Sequence, residues 1–238
     1  MRYDLHLHTC LSPCADRDMT PATVAGLAKL AGAQLIAVTD HNSALNLPAV
    51  EKACREYGLR LLPGLEVTTA EEVHLLCYFK TVEAALDYGR DLYAALPALP
   101  CDPAIWGEQW VMDEEDRVLA KVDKLLTAAC AWPLEEAAAR CRALGGEPVP
   151  AHADAESYSV FAMLGMLPAE AGFRAVELRR PELAAEYEQR GLLPAGLEVM
   201  ASSDATSSRR WASGWGGLRR TACCAACCEK EKERPHGP

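Results

Sequence analysis

Five histidines and several carboxylates recur at the same kind of place along this chain. His6 and His8 lie one residue apart in "MRYDLHLHTC". Asp40 and His41 end "LIAVTDH", Glu66 lies in "GLEV" and His74 in "EVHLL". His152 follows "PVPA", and Asp204 ends "VMASSD". Side chains alternate along a strand, so His6 and His8 share one face while Leu5 and Leu7 take the other. Neutral imidazoles and carboxylates together are the ligand set of zinc, manganese and iron. No cysteine belongs to this strand-end set, which points to a catalytic rather than a thiolate structural site. The candidates are too many for one ion, whereas two or three divalent ions sharing Glu66 or Asp204 would use them. In such a cluster a bridging water loses its proton near neutral pH, and the resulting hydroxide attacks a group whose oxygens the ions hold.

Each residue alone has a plainer reading. A lone buried histidine such as His74 is ordinarily a hydrogen-bonded core residue. "TDH" serves as a helix cap with a neighbouring His, Glu66 as the answer to an arginine, and Asp204 in "SSD" as an N-cap. Recurrence at five successive strand ends favours the joint explanation, a metal site.

The elements that must position these residues alternate between strand and helix. "YDLHLH", "QLIAVTD", "LRLLPGLEVTT", "EVHLLCYF", "EPVPAH", "FRAVEL" and "LEVMASSDA" read as strands. "TPATVAGLAKLAG" reads as a helix with Thr20 as N-cap, Pro21 at the first position and Gly32 as the stop. Further helices are expected at "LPAVEKACREYG", "TVEAALDYGRDLYAAL", Asp116–Ala129, Pro133–Leu144, "SYSVFAMLG" and "PELAAEYEQRG". This alternation implies a mostly parallel sheet, closed into a barrel or doubly wound, with active residues at strand C-termini. The stretch "IWGEQWVMDEED" is either a lid or a structural insert. Arg179, after "AVEL", meets either a substrate phosphate or a surface partner.

At 238 residues the chain can build a substantial core. Its net charge of −10 argues against extended nucleic-acid binding, which would draw on Lys and Arg, but not against a small phosphorylated substrate held by a metal. No apolar run reaches the ~18 residues of a membrane span. No basic segment leads into a signal-type apolar region, so a cytoplasmic location is expected. The eleven cysteines fit that compartment if reduced. Cys10 and Cys14, flanking the first loop, are read as loop packing.

The ordered set "DLHLHT", "LSPCADRDMTP", "AVTDHN", "GLEVTT", "EVHLLCYF", "PAHAD" and "SSDA" resembles the PHP family, named for its polymerase and histidinol phosphatase members. The likeness spans residues 1–206 and is nearest its stand-alone bacterial phosphoesterases. It implies a distorted seven-stranded β/α, TIM-like barrel, a two- or three-metal centre and hydrolysis of phosphate esters. Carried over by position, it implies metal ligation by His6, His8, Asp16, His41, Glu66, His74, His152 and Asp204. It also implies catalytic roles for Asp40, His41, Glu66 and Asp204, with Asp40 orienting His41. The substrate expected is a phosphomonoester or a small nucleotide phosphodiester.

The sequence departs from the family at its end. The family pattern places a histidine two residues after the last aspartate, where this chain has Thr206, a poor ligand for zinc or manganese. That departure sustains an alternative, a metal-binding protein with weak or no turnover. Hydrolysis of an amide by a similar cluster is a third reading. Residues 207–238 hold one Leu, no Ile, Val or Met, and four clustered cysteines in "CCAACC". They show no helical or strand period and read as a disordered end or an altered reading frame.

Overall fold

Local chemistry starts and stops the helices where the sequence suggests. The Thr20 hydroxyl accepts from the backbone N–H of Thr23, and Pro21 opens α1 (Pro21–Leu30) after β1 (Tyr3–Leu7). β2 (Leu35–Val38) is buried throughout. α2 (Leu47–Tyr57) ends at Gly58, whose left-handed φ of 65° suits a residue without a Cβ. β3 (Arg60–Thr68), β4 (His74–Tyr78) and α3 (Val82–Ala95) follow, α3 capped by the Thr81 hydroxyl. The remaining elements are α4 (Pro103–Trp106), β5 (Trp110–Met112), β6 (Val118–Lys121), α5 (Leu134–Ala143), β7 (Glu147–Pro150), α6 (Val160–Leu164), β8 (Ala175–Glu177), α7 (Ala184–Gln189) and β9 (Glu198–Met200). This computed structural model describes residues 1–208. The Cys-rich end beyond Ser208 lies outside the described residues. No described helix is long and apolar enough to cross a membrane.

The sheet is mixed rather than mostly parallel. Its order is β1-β2-β3-β4-β7, with β1, β2 and β3 parallel and β4 antiparallel to both neighbours. Residues 69–73 are too few for a crossover, which takes about a dozen residues, so β3 and β4 form a hairpin. β8 and β9 form a separate parallel pair, and the segment after β9 bridges to β1 at Leu7 and Ala205.

The α/β class holds, but instead of the expected distorted seven-stranded barrel the ladders form a curled five-stranded sheet and a separate β8–β9 pair. Two prolines in "EPVPAH" give a physical reason. The Ala151 N–H points to the His74 carbonyl on β4. Alternation then turns residues 148 and 150 toward the β8 side, where each is a proline with no N–H to donate. The seam between β7 and β8 cannot build a full ladder, and the sheet stays curled and open there. Packing crosses the gap nonetheless. Tyr3, Leu5, Leu35, Ala37, Leu76, Tyr78, Val149, Ala151, Ala175 and Met200 form one buried cluster drawn from strands of both sheets. A larger cluster lies between the sheet and the helices.

The helix expected over Asp116–Ala129 does not form. The Asp113 carboxylate accepts from the backbone N–H groups of Glu115 and Arg117, and Asp116 takes φ 60°. That turn folds the segment into the β5–β6 hairpin. The insert is bound down rather than hinged. Asn42 Nδ2 donates to the carbonyls of Leu126 and Ala128. Asn46 Nδ2 donates to that of Trp110, and Asn46 Oδ1 accepts from Met112 N.

Candidate metal centre

Glu66, near the end of β3, lies at the middle of the site and is 1% exposed. Its Oε1 lies 3.3 Å from His6 Nε2, 3.0 Å from His74 Nδ1 and 3.3 Å from His152 Nε2. Its Oε2 lies 3.4 Å from His8 Nε2 and 3.1 Å from His41 Nδ1. All five histidines thus converge on one carboxylate, although His74 opens β4 instead of closing a strand as expected, because β4 runs antiparallel and brings its first residue to this end of the sheet. Asp204 approaches the first two, with Oδ1 at 3.6 Å from His6 Nε2 and 3.5 Å from His8 Nε2.

Neighbouring groups set which nitrogen of each ring is free. His6 Nδ1 donates to Glu177 Oε2 at 2.9 Å, so in the neutral ring Nε2 carries the lone pair and faces Glu66. Asp40 accepts from Thr9 N, Thr9 Oγ1 and Ser12 Oγ. The Ser12 hydroxyl has thereby spent its proton. It can only accept from His8 Nδ1 at 3.1 Å and from His41 N at 3.0 Å. His8 Nε2 is left as an acceptor aimed at the two carboxylates. Asp40 therefore reaches the site through Ser12, acting on the His8 ring and the His41 backbone.

Electrostatics report the same crowding. Burial opposes a charged His6, but Glu177, Glu66 and Asp204 outweigh it and hold that imidazole well above its usual range. His152 is raised too, its burial outweighed by Glu66. His41 goes the other way: burial pushes it well down, Glu66 opposes, and the charges of His8 and His74 add to the fall. Burial works against ionised Glu66 and Asp204, yet the imidazoles around them keep both carboxyls below their ordinary values. Asp40 is raised by burial, against its His8 neighbour and its hydrogen bonds.

The donor set fits divalent ions. His6 Nε2, His41 Nδ1 and Glu66 Oε1 are buried without a hydrogen-bond partner, although each has an opposing N or O close by. Such orphans are costly unless something else occupies the space between them. Donors ~2.1 Å from a shared ion sit roughly 3.0–3.4 Å apart at octahedral to tetrahedral angles. The N···O separations here bracket that span. Three groups bring ligand atoms within 4.8 Å of one another: His6, His8 and Glu66; His41, Glu66 and His74; and His8, Cys14 and His41. Backbone conformation is strained at the same place, with φ of 29° at His152 and 50° at Asp204.

The structure places some expected residues elsewhere. Asp16 is exposed, and its backbone N–H donates to the Thr206 carbonyl. Cys14, two residues earlier, is the side chain of that loop near His8 and His41. Asp154 accepts from the backbone N–H groups of Arg179 and Arg180, which sets the loop after β8. Arg179 Nη2 then lies 3.6 Å from Asp204 Oδ2. Glu177, which binds both His6 Nδ1 and His152 N, escapes the sequence reading. Its only signal is an acid at the end of the strand "AVEL". Tyr158 is a second unforeseen neighbour, its ring stacked on His74 at 4.9 Å.

Known proteins share this fold and, over part of the chain, its sequence. The 5'-3' exoribonuclease Rnm of Salmonella typhimurium is 36% identical over 74 residues, 30% of this chain and 24% of that protein. The lesion-specific endonuclease Q of Pyrococcus furiosus superposes with a TM-score of 0.60 at 21% identity, covering 87% of this chain and 48% of that one. A Bifidobacterium adolescentis protein described as a metal-dependent phosphoesterase gives 0.56 at 20% identity, covering 85% and 86%. The chain thus spans about a quarter of the ribonuclease and about half of the endonuclease. The family model of the PHP domain matches residues 4–125, just over half of the chain. With that match added to the strand-end histidines gathered on Glu66, the chain belongs to the PHP domain family.

Proposed function

We propose that this protein is a metal-dependent phosphoesterase acting on a phosphomonoester or a small nucleotide phosphodiester, with residues 1–206 as the hydrolytic unit. The observation that carries this reading is the five imidazoles around Glu66 with buried, unpartnered atoms between them. His6, His8, His41, Glu66, His74, His152 and Asp204 would hold two or three divalent ions. Bound there, such ions supply Lewis acidity and positive charge for phosphate oxygens. Zinc, manganese and iron all suit imidazole and carboxylate donors.

The chain's own groups have definable tasks. Glu177 and Ser12 hold His6 and His8 in the tautomers that leave Nε2 free. Asp204, kept ionised and partly exposed, accepts rather than donates a proton at the solvent boundary of the site. Arg179 presents a guanidinium beside Asp204, suited to an incoming phosphate oxygen. The relatives named above as ribonuclease and endonuclease favour the phosphodiester among these substrates.

Hydrolysis of aryl phosphate mono- and diesters and of dinucleotides, after loading with zinc or manganese, tests the reading. Turnover that chelation abolishes and metal restores is expected. Two or more ions per chain with no hydrolysis of any phosphate ester would instead support the second reading, a metal-holding protein without turnover. Thr206 favours that one, because its hydroxyl stands where the family pattern calls for histidine.

A further inference from the structure

We propose that Cys14 is a thiolate ligand of the ion held by His8 and His41, making that corner of the centre a mixed imidazole–thiolate site that selects zinc over manganese. This rests on the reading of the cluster as a metal centre and adds a ligand to it.

Two observations carry the inference. The Cys14 sulfur and one ring nitrogen each of His8 and His41 lie within 4.8 Å of one another. His41 Nδ1 is buried, on a residue 6% exposed, and has no hydrogen-bond partner. A cation would satisfy it together with Glu66 Oε2, 3.1 Å away, and Ser12 leaves His8 Nε2 as an acceptor facing that same oxygen. Cys10, four residues earlier, differs: it is buried, with its thiol against Met112 Sδ at 3.3 Å. That is a packing cysteine, whereas Cys14 lies on an exposed residue with its sulfur turned in toward His8 and His41, where burial and the carboxylates of Glu66, Asp204 and Asp40 push the free thiol up.

The loop is built to hold Cys14 there. Ala15 N donates to Ser12 O, and Asp16 N donates to Thr206 O. Gly107 lies against the loop so closely that a Cβ there would stand 2.9 Å from the Pro13 carbonyl. Thiolate sulfur is a soft donor that suits zinc, while manganese prefers oxygen. A zinc–sulfur bond of ~2.3 Å lies within reach of the spacing given above.

Cobalt(II) substitution of the full-length protein reads out a thiolate ligand directly, through its sulfur-to-cobalt charge-transfer absorption. The test needs two variants. In one, Cys223, Cys224, Cys227 and Cys228 are all serine, which removes the thiols of the C-terminal segment. The other adds Cys14→Ser. The band should persist in the first and vanish in the second, with cobalt still bound. Mass-spectrometric mapping after iodoacetamide, run at alkaline pH because its surroundings push the Cys14 thiol up, should find Cys14 alkylated in chelated protein and should lose that modification when zinc is bound. A band that survives Cys14→Ser, no band in the four-serine variant, or equal alkylation with and without zinc overturns the proposal while leaving the metal centre standing. Failure to bind cobalt or zinc at all defeats both.

Discussion

Replacing Ser12 with alanine tests how the site sets its ligands. Ser12 is fully buried, and its hydroxyl donates to Asp40 Oδ1 at 2.7 Å while accepting from His41 N at 3.0 Å and His8 Nδ1 at 3.1 Å. Alanine removes one atom and leaves a buried backbone N–H with no partner. An unsatisfied buried donor costs about 1–3 kcal/mol. At ~2 kcal/mol, a domain of this size should lose roughly 4–8 °C in melting temperature. The larger consequence falls on the metal. Without an acceptor at Nδ1, the His8 proton can move to Nε2, where Glu66 and Asp204 both accept it. The ring then presents N–H where it should present a lone pair. Loss of such an orienting partner costs about 10–100-fold in metal affinity. Chelator competition for zinc and thermal melting of the chelated protein measure the two effects separately. A melting-temperature loss of the expected size with unchanged zinc affinity would refute the claim that Ser12 fixes the His8 tautomer.

Three further outcomes follow from the same geometry. Glu66→Gln should abolish both tight metal binding and hydrolysis, since its two oxygens face all five imidazoles; a variant retaining full zinc content by elemental analysis would contradict this. The chelated and loaded proteins should respond oppositely to pH. His6 is raised in the folded chelated protein, so the stability it adds is fully present below its unfolded value of 6.5 and lost as pH rises through its folded value. Metal binding needs that imidazole neutral, so affinity should rise over the same interval. Parallel trends in denaturant midpoint and chelator competition would count against the assignment. Arg179→Ala should raise KM about 10-fold, roughly 1.4 kcal/mol, with kcat little changed; a loss confined to kcat would remove Arg179 from substrate binding.

Much of the site was legible because its residues obey a simple rule. Parallel strands put their chemistry at their C-terminal ends, so "HLH", "TDH" and "AHAD" stand out as polar endings to apolar runs. Glu177 obeys the same rule without standing out. A single acid closing "AVEL" carries no spacing signal, and its partners His6 Nδ1 and His152 N lie 171 and 25 residues away in the chain. The 116–129 segment misled because its apolar spacing suits a helix, while Asp113 captures two backbone N–H groups and turns it into a hairpin. The open seam beside β7 was written in Pro148 and Pro150, but reading it requires knowing which edge those prolines face.

The sequence by itself determined the types of candidate ligand, their order and the strands at whose ends they stand. These follow from local alternation and from the chemistry of imidazole and carboxylate. Only the tertiary structure decided which atoms meet. It aimed all five rings at Glu66, tied Asp40 to His8 and His41 through Ser12, and brought Cys14 instead of Asp16 to the edge of the cluster. The reason is physical: a ring nitrogen or a thiol chooses its partner through the rotamer and tautomer that distant backbone imposes. Spacing along the chain fixes neither.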